Sequence, residues 1–403
     1  LQGLSINPVN VFCLRCQAGS LMSLNRLDEA RAVITKALEL DPENSAVHIT
    51  AGRYALNTEN PELSIPLLQE ALRLAPEEDI SHYSMANGYL GVGDFANAEI
   101  HAREALNLDT GEIFNYILLC QILAADKRID EALEICDTLI EKFPDSDTAF
   151  REKSGLLSLA ERLPEALECA RKAVELNPQN YRNIVELVGI LLLLKKNEEA
   201  LREATSFSET NPSAQSYRNL AYVAMILEDD DLAGSAIEKG LSFNSSDAYL
   251  LDKAYVIAYK KKNYEETLRV CEKLLEMGVD KMTYRQGKAI SLMELERYSE
   301  SESYLNELIA VGKDIKECRT NRGILYFRQG RPGDAVFEFK FVCDLDPEYE
   351  TARANLLQAL SELNPVNKFS SIVLTVLDKT IELLGDKRIP GLLSWILAIP
   401  YLV

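Results

Sequence analysis

The feature that most constrains this chain is a spacing. The segment ALELDPEN, ending at Asn44, returns as ALRLAPEE ending at Glu78, then as ALNLDTGE, LIEKFPDS, AVELNPQN and FSETNPSA, and again as VCDLDPEY ending at Tyr349. The proline column reads Pro42, Pro76, Thr110, Pro144, Pro178, Pro212, Ser245, Val279, Lys313 and Pro347, and every step is 34 residues except one of 33. A fixed period of this size means one supersecondary unit stacked on copies of itself. The length agrees, because 403 residues exceed what one hydrophobic core ordinarily organises.

Each unit repeats the same chemistry. A first helix leads through a short polar turn (NRLDEA, GDFANA, KRIDEA, ERLPEA, KKNEEA, GRPGDA) to a second helix with a small residue at its start: Ala30, Ser64, Ala98, Ala132, Ala166, Ala200, Ala233, Thr267, Ser301 and Ala335. Small residues there let two helices cross closely. A second small column runs through the first helices at Ala18, Gly52, Ala86, Cys120, Ser154, Ala221, Ala289 and Gly323, broken by Val188 and Tyr255. Apolar residues at helical spacing fill the rest, as at Ile34, Ala37 and Leu38. The proline ends the second helix, since it cannot donate to the preceding turn and turns its neighbour away from helix.

In its period and its small, small, proline pattern the chain resembles the tetratricopeptide repeat (TPR) family, over residues 1 to about 363. The resemblance implies an all-α, right-handed superhelix (a solenoid) of about ten helix-turn-helix repeats. First helices would line a concave groove and second helices would form the convex back. The family's large aromatic early in the first helix is mostly replaced, by Leu14, His48, His82, Tyr116, Phe150 and Ile184, which still supply bulk. Residues 245 to 315 diverge most: the proline column there reads Ser245, Val279, Lys313, and Tyr255 takes a small-residue site. That stretch is either re-angled, a bend in the groove, or drift in a tolerant repeat.

Several function classes are disfavoured. Acidic residues outnumber basic ones 63 to 43, for a formal charge of −20, a field that repels phosphate backbones and argues against nucleic acid. Eight scattered cysteines do not make a disulfide framework, so they read as reduced and the compartment as cytoplasmic. The pair Cys13 and Cys16 has redox or zinc spacing, but a zinc site needs four ligands and the next cysteine is Cys120. His48 and His82 fall in one column of adjacent repeats, which reads as packing, and His101 has no partner motif. Gly91 and Gly93 fall at a turn between paired helices rather than in a phosphate loop, and LEDDD at Leu227 to Asp231 reads as a solvated turn. No set of nucleophile, base and oxyanion donors is evident, so the expectation is a chain without catalytic, cofactor or metal sites.

What remains is the groove. The family geometry implies a lining of Phe114, Ile117, Leu118 and Gln121, then Val185, Leu192 and Leu193, then Tyr222, Met225 and Ile226. Further on it turns mixed, with Lys253, Tyr259, Asn321, Arg328 and Asn355. An extended or helical protein segment would bury apolar groups in the middle and hydrogen-bond beyond, although Leu192 and Leu193 could equally pack on a neighbouring repeat or a self-association surface. No three consecutive units supply the basic residues of a chaperone-type carboxylate clamp. The column of a glycosyltransferase-type asparagine ladder reads Cys16, Thr50, Ser84, Leu118, Glu152, Glu186, Asn219, Lys253, Gly287, Asn321 and Asn355, which is no ladder.

Both ends carry expectations. GLSINPVN aligns with ALELDPEN, so the chain opens inside the second helix of a repeat whose first helix is absent, with Pro8 one period before Pro42. Residues 364 to 403 hold an amphipathic segment suited to cap the last repeat, then an almost wholly apolar run from Leu392 to Val403, shorter than the roughly 20 residues of a membrane span. That run could begin an anchor or belong to a following domain. The expected function is a non-catalytic scaffold or adaptor binding protein or peptide segments. The alternatives are the recognition arm of a larger enzyme, such as a glycosyltransferase, or a membrane-tethered assembly factor.

Overall fold

The computed structural model describes residues 10–58 and 61–363. Within them it is all-helical, with first helices α1 (Val11–Ser23), α3 (Ser45–Leu56), α5 (Asp79–Val92), α7 (Ile113–Ala125), α9 (Asp147–Leu159), α11 (Tyr181–Leu193), α13 (Ala214–Ile226), α15 (Ala248–Lys260), α17 (Met282–Glu294), α19 (Ile315–Arg328) and α21 (Glu350–Leu363). They alternate with second helices α2 (Leu27–Leu40), α4 (Ser64–Leu74), α6 (Phe95–Leu108), α8 (Ile129–Lys142), α10 (Leu163–Leu176), α12 (Asn197–Thr210), α14 (Asp230–Phe243), α16 (Tyr264–Glu276), α18 (Tyr298–Ala310) and α20 (Pro332–Leu345). The expected opening half-repeat, the C-terminal cap and the apolar run lie outside the described residues. Two compact units divide between Pro212 and Ser213. In the first, α1, α3, α5, α7, α9 and α11 pack on one another in succession, each backed by its own second helix. In the second, α17, α19 and α21 pack on one another in succession, with α17 and α19 each backed by its own second helix.

The small column at the start of the second helices is fully buried in every repeat, from Ala30 through Ser64 and Thr267 to Ala335. It is the point of closest crossing, and a longer side chain there would have to displace a helix. The first-helix column is buried likewise, and where it is glycine a large residue of the second helix fills the space. Leu68 lies where a Cβ on Gly52 would stand, at 2.5 Å, and Phe339 does the same at Gly323.

Each described turn inside a repeat closes in the same way. Asn25, Lys127, Glu161, Lys195, Glu228, Lys262 and Glu296 have φ between 54° and 65°, and Gly93 and Gly330 share their column. The next N–H bonds to the carbonyl five residues back, as Arg128 to Leu123 and Arg162 to Leu157, both at 2.8 Å. These are Schellman closures, with the left-handed residue ending the first helix. Gly93 is therefore a helix end as expected. Gly91 is not at the turn but inside α5, where the Leu56 side chain packs over it.

The start of the following helix is held in one of two ways in most repeats. Asp94, Asp229 and Asn263 accept a backbone N–H of the first turn. Arg26, Arg128, Arg162 and Arg297 make no such cap and instead pair with the acid three residues on, at 2.5–2.6 Å.

The divergent middle is a change of terminator, not a failure of the repeat. Where Val279 and Lys313 replace proline, Gly278 and Gly312 precede them with φ of 81° and 74°, ending α16 and α18 with the same closure the first helices use. Tyr255 is accommodated because the facing helix carries Gly287, whose Cβ would lie 2.7 Å from the Tyr255 ring and 2.9 Å from Cys271 Sγ. The Tyr255 ring stands edge-on to Tyr284, which donates to Asp252 at 2.5 Å.

Candidate functional site

The first-helix face of unit 1 carries an open cavity of about 490 Å³, within the usual range of roughly 300–1,000 Å³ for ligand pockets. It spans three consecutive first helices. Gln121 and Ala124 come from α7, Arg151, Glu152, Gly155, Leu156, Ser158 and Leu159 from α9, and Glu186 from α11. The helical repeat places them together, since residues 34 apart occupy equivalent positions on neighbouring helices, as Glu152 and Glu186 do.

The electrostatics of this cavity are unusual for an acidic protein surface. Burial pushes the Glu152 carboxyl above the usual carboxylate range, partly offset by a hydrogen bond from Gln121 and by the Arg151 charge, while Glu186 adds to the rise. Burial likewise raises Glu186, offset by the Ser154 hydroxyl at 3.4 Å and by Arg151. Arg151 itself donates to Asn183 Oδ1 at 3.1 Å rather than to either carboxylate. Asn183 is in turn anchored by donating to the Ala173 carbonyl and to Asp147, at 2.9 and 2.8 Å. Two carboxylates thus share a half-buried pocket without an ion-pair partner among the described residues.

The expected lining residues fall into three groups. Phe114 is 59% exposed, Leu193 60% and Val185 38%, and Gln121 is exposed on the cavity. Leu192 is half-buried. Ile117 and Leu118, by contrast, are buried; Ile117 packs with Tyr116, Leu139 and Ala149, so these two serve the core and line no surface. In unit 2, described by itself, Tyr222, Ile226 and Tyr259 are exposed and Met225 is half-buried. Tyr259 stacks on Tyr255. Lys253 pairs with Asp252 at 3.0 Å under the Tyr249 ring, and Arg328 pairs with Glu294 at 2.7 Å. Asn321 and Asn355 are half-buried.

Sequence reasoning missed three features. Leu159, 67% exposed, stands one period before Leu193 and edges the cavity. Glu152 and Glu186 stood in a column read for asparagine, where their adjacency was itself the signal. His101 has a partner after all: His82 Nε2 donates to the Pro76 carbonyl at 3.2 Å, leaving Nδ1 to accept from His101 Nδ1 at 3.1 Å. His101 also stacks on Tyr89, and burial, then the neighbouring His82, lowers its pKa. His48 makes the equivalent bond to Pro42, at 2.7 Å.

All eight cysteines are free thiols, and among the described residues no group of three or more His, Cys, Asp or Glu is placed to hold a metal ion. No helix among the described residues is long and apolar enough to cross a membrane.

A tetratricopeptide repeat family model matches residues 17–79 and 287–340. Hsc70-interacting proteins 1 and 2 of Drosophila melanogaster are each 33% identical over 99 residues, which is 25% of this chain and 26% of each relative. The chain thus spans about a quarter of the length of these curated relatives. Among solved structures, YrrB, a TPR protein with an unusual peptide-binding site, is 23% identical, with 45% of this chain and 94% of that one covered at a TM-score of 0.32. The Cut9–Hcn1 hetero-tetramer of the APC/C is 14% identical over 87% of this chain and 84% of that one, at a TM-score of 0.36.

Proposed function

The chain is a tetratricopeptide-repeat protein, and on that premise we propose that it is a non-catalytic scaffold that holds a protein or peptide segment on its first-helix face. The observation that carries this reading is the exposed apolar column of Leu159 and Leu193 beside the cavity of unit 1. Leucine at successive repeats on a surface otherwise rich in charge is costly to leave in water, roughly 1.5–3 kcal/mol per side chain that could be buried. Phe114 on α7 and Val185 on α11 are further exposed apolar side chains of the first helices. An extended segment crossing these helices would meet one equivalent position per repeat, which suits recognition by a repeating register.

Hydrogen–deuterium exchange on the full chain, with and without a peptide selected from a random library, tests the placement. Protection centred on α9 and α11 supports it. Protection confined to second helices such as α10 would defeat it.

A further inference from the structure

We infer that the cavity over α7, α9 and α11 receives a basic side chain, lysine or arginine, of the segment bound on this face. The inference rests on the groove reading above and specifies what its central pocket selects.

Two independent features of the same two repeats converge on it. In the column of Glu152 and Glu186, the other repeats carry Cys16, Thr50, Ser84, Leu118, Asn219, Lys253, Gly287, Asn321 and Asn355, so a carboxylate occurs only at these two adjacent positions. Three residues further along the same helices stand Gly155 and Gly189, flanked in their own column by Gln121 before and Tyr222 after. Of the two, Gly155 lines the cavity, and a Cβ there would meet only Glu186 Oε1, at 3.8 Å; Gly189 stands next to it in the column, with open space where its Cβ would be. Removing bulk where acid is introduced is what a pocket for a long cationic side chain requires.

The chemistry fits that ligand in detail. Leu156, Leu159 and Ala124 offer an apolar wall for a methylene stem, and the carboxylates lie where its charged head would arrive. Arg151 also lines the cavity and its charge acts on both carboxylates, but its hydrogen bond goes to Asn183, so it forms an ion pair with neither. Both carboxylates are partly desolvated in the free protein, so a cation supplies the partner they lack.

The test is selection of a random-peptide phage library on the full wild-type chain and on the Glu152→Gln/Glu186→Gln chain, followed by affinity measurement on synthetic peptides. We expect wild-type binders to share a lysine or arginine at one register position. Replacing it with norleucine should weaken binding roughly ten-fold or more, the size of losing a hydrogen bond to a charged group. The same replacement should change affinity little on the double variant, and Gly155→Leu, which fills the cavity while keeping the charges, should abolish the preference. Wild-type binders without a basic consensus, or with an acidic one, overturn the inference while leaving the groove reading intact. An unchanged basic preference on the double variant also overturns it. If neither chain selects any peptide, the groove reading falls and this inference with it.

Discussion

The left-handed turn column makes a prediction that depends on backbone physics alone. Among the described residues, seven repeats hold a non-glycine residue at φ of 54–65°, and two hold glycine. A left-handed conformation costs an L-residue roughly 1–2 kcal/mol, and glycine loses roughly 0.5–1 kcal/mol more chain entropy on folding. The difference favours glycine by about 0.5–1 kcal/mol per turn. Glu161→Gly should therefore stabilise the chain by about that amount; Glu161 is exposed, so little else is removed. Gly93→Ala should destabilise by a similar amount, and a Cβ there meets no atom within 4 Å, so no clash contributes. The assay is urea unfolding of the full chain followed by far-ultraviolet circular dichroism, read as the shift in midpoint. If Gly93→Ala leaves the midpoint unchanged, or Glu161→Gly lowers it, the turn column is not under the strain argued here.

Two further predictions concern pH. The Glu152 and Glu186 carboxyls titrate above their ordinary range in the folded chain, so the fold binds more protons than the unfolded chain in that window, and stability falls as pH rises through it. Glu152→Gln/Glu186→Gln should accordingly raise the unfolding midpoint at neutral pH, and that gain should vanish below the unperturbed glutamate pKa of about 4.3. His101 has the opposite sign: its lowered pKa means the unfolded chain binds more protons, so stability is lost as pH falls through the unfolded value of about 6.5. His101→Leu, matching apolar residues at equivalent positions such as Val33 and Ile135, should flatten the stability profile between neutral and mildly acid pH. Thermal melts across that range would show it, and a profile as steep as the wild type would exclude the buried His101 as its cause.

The fold was legible because its determinants are single columns at a fixed period: small residues at the crossing, proline at the exit, bulk early in the first helix. What was not legible lay in relations between columns. Positions 19 apart face each other within a repeat, so the His82–His101 pair is the counterpart of Leu14 with Val33 and Arg319 with Glu338, which form contacts of quite different chemistry. Reading His101 by itself hid that. Gly278 and Gly312 were likewise missed as replacement terminators because only the proline was followed. Ile117 and Leu118 were placed on the surface because the face of a first helix that stacks on its neighbours is nearly as apolar as one that binds, and α7 is buried along most of its length. The cavity needed three helices at once, which no single column displays.

The central claim is tested most directly at Leu193, which is 60% exposed and therefore replaceable without disturbing the core. The measurement is the affinity of a library-selected peptide for the Leu193→Glu chain, by fluorescence anisotropy, with helical content and unfolding midpoint checked against the wild type. Losing a buried leucine contact of about 1.5–3 kcal/mol predicts at least about a ten-fold weaker complex from an equally folded protein. Unchanged affinity in a normally folded Leu193→Glu chain would contradict binding on the first-helix face.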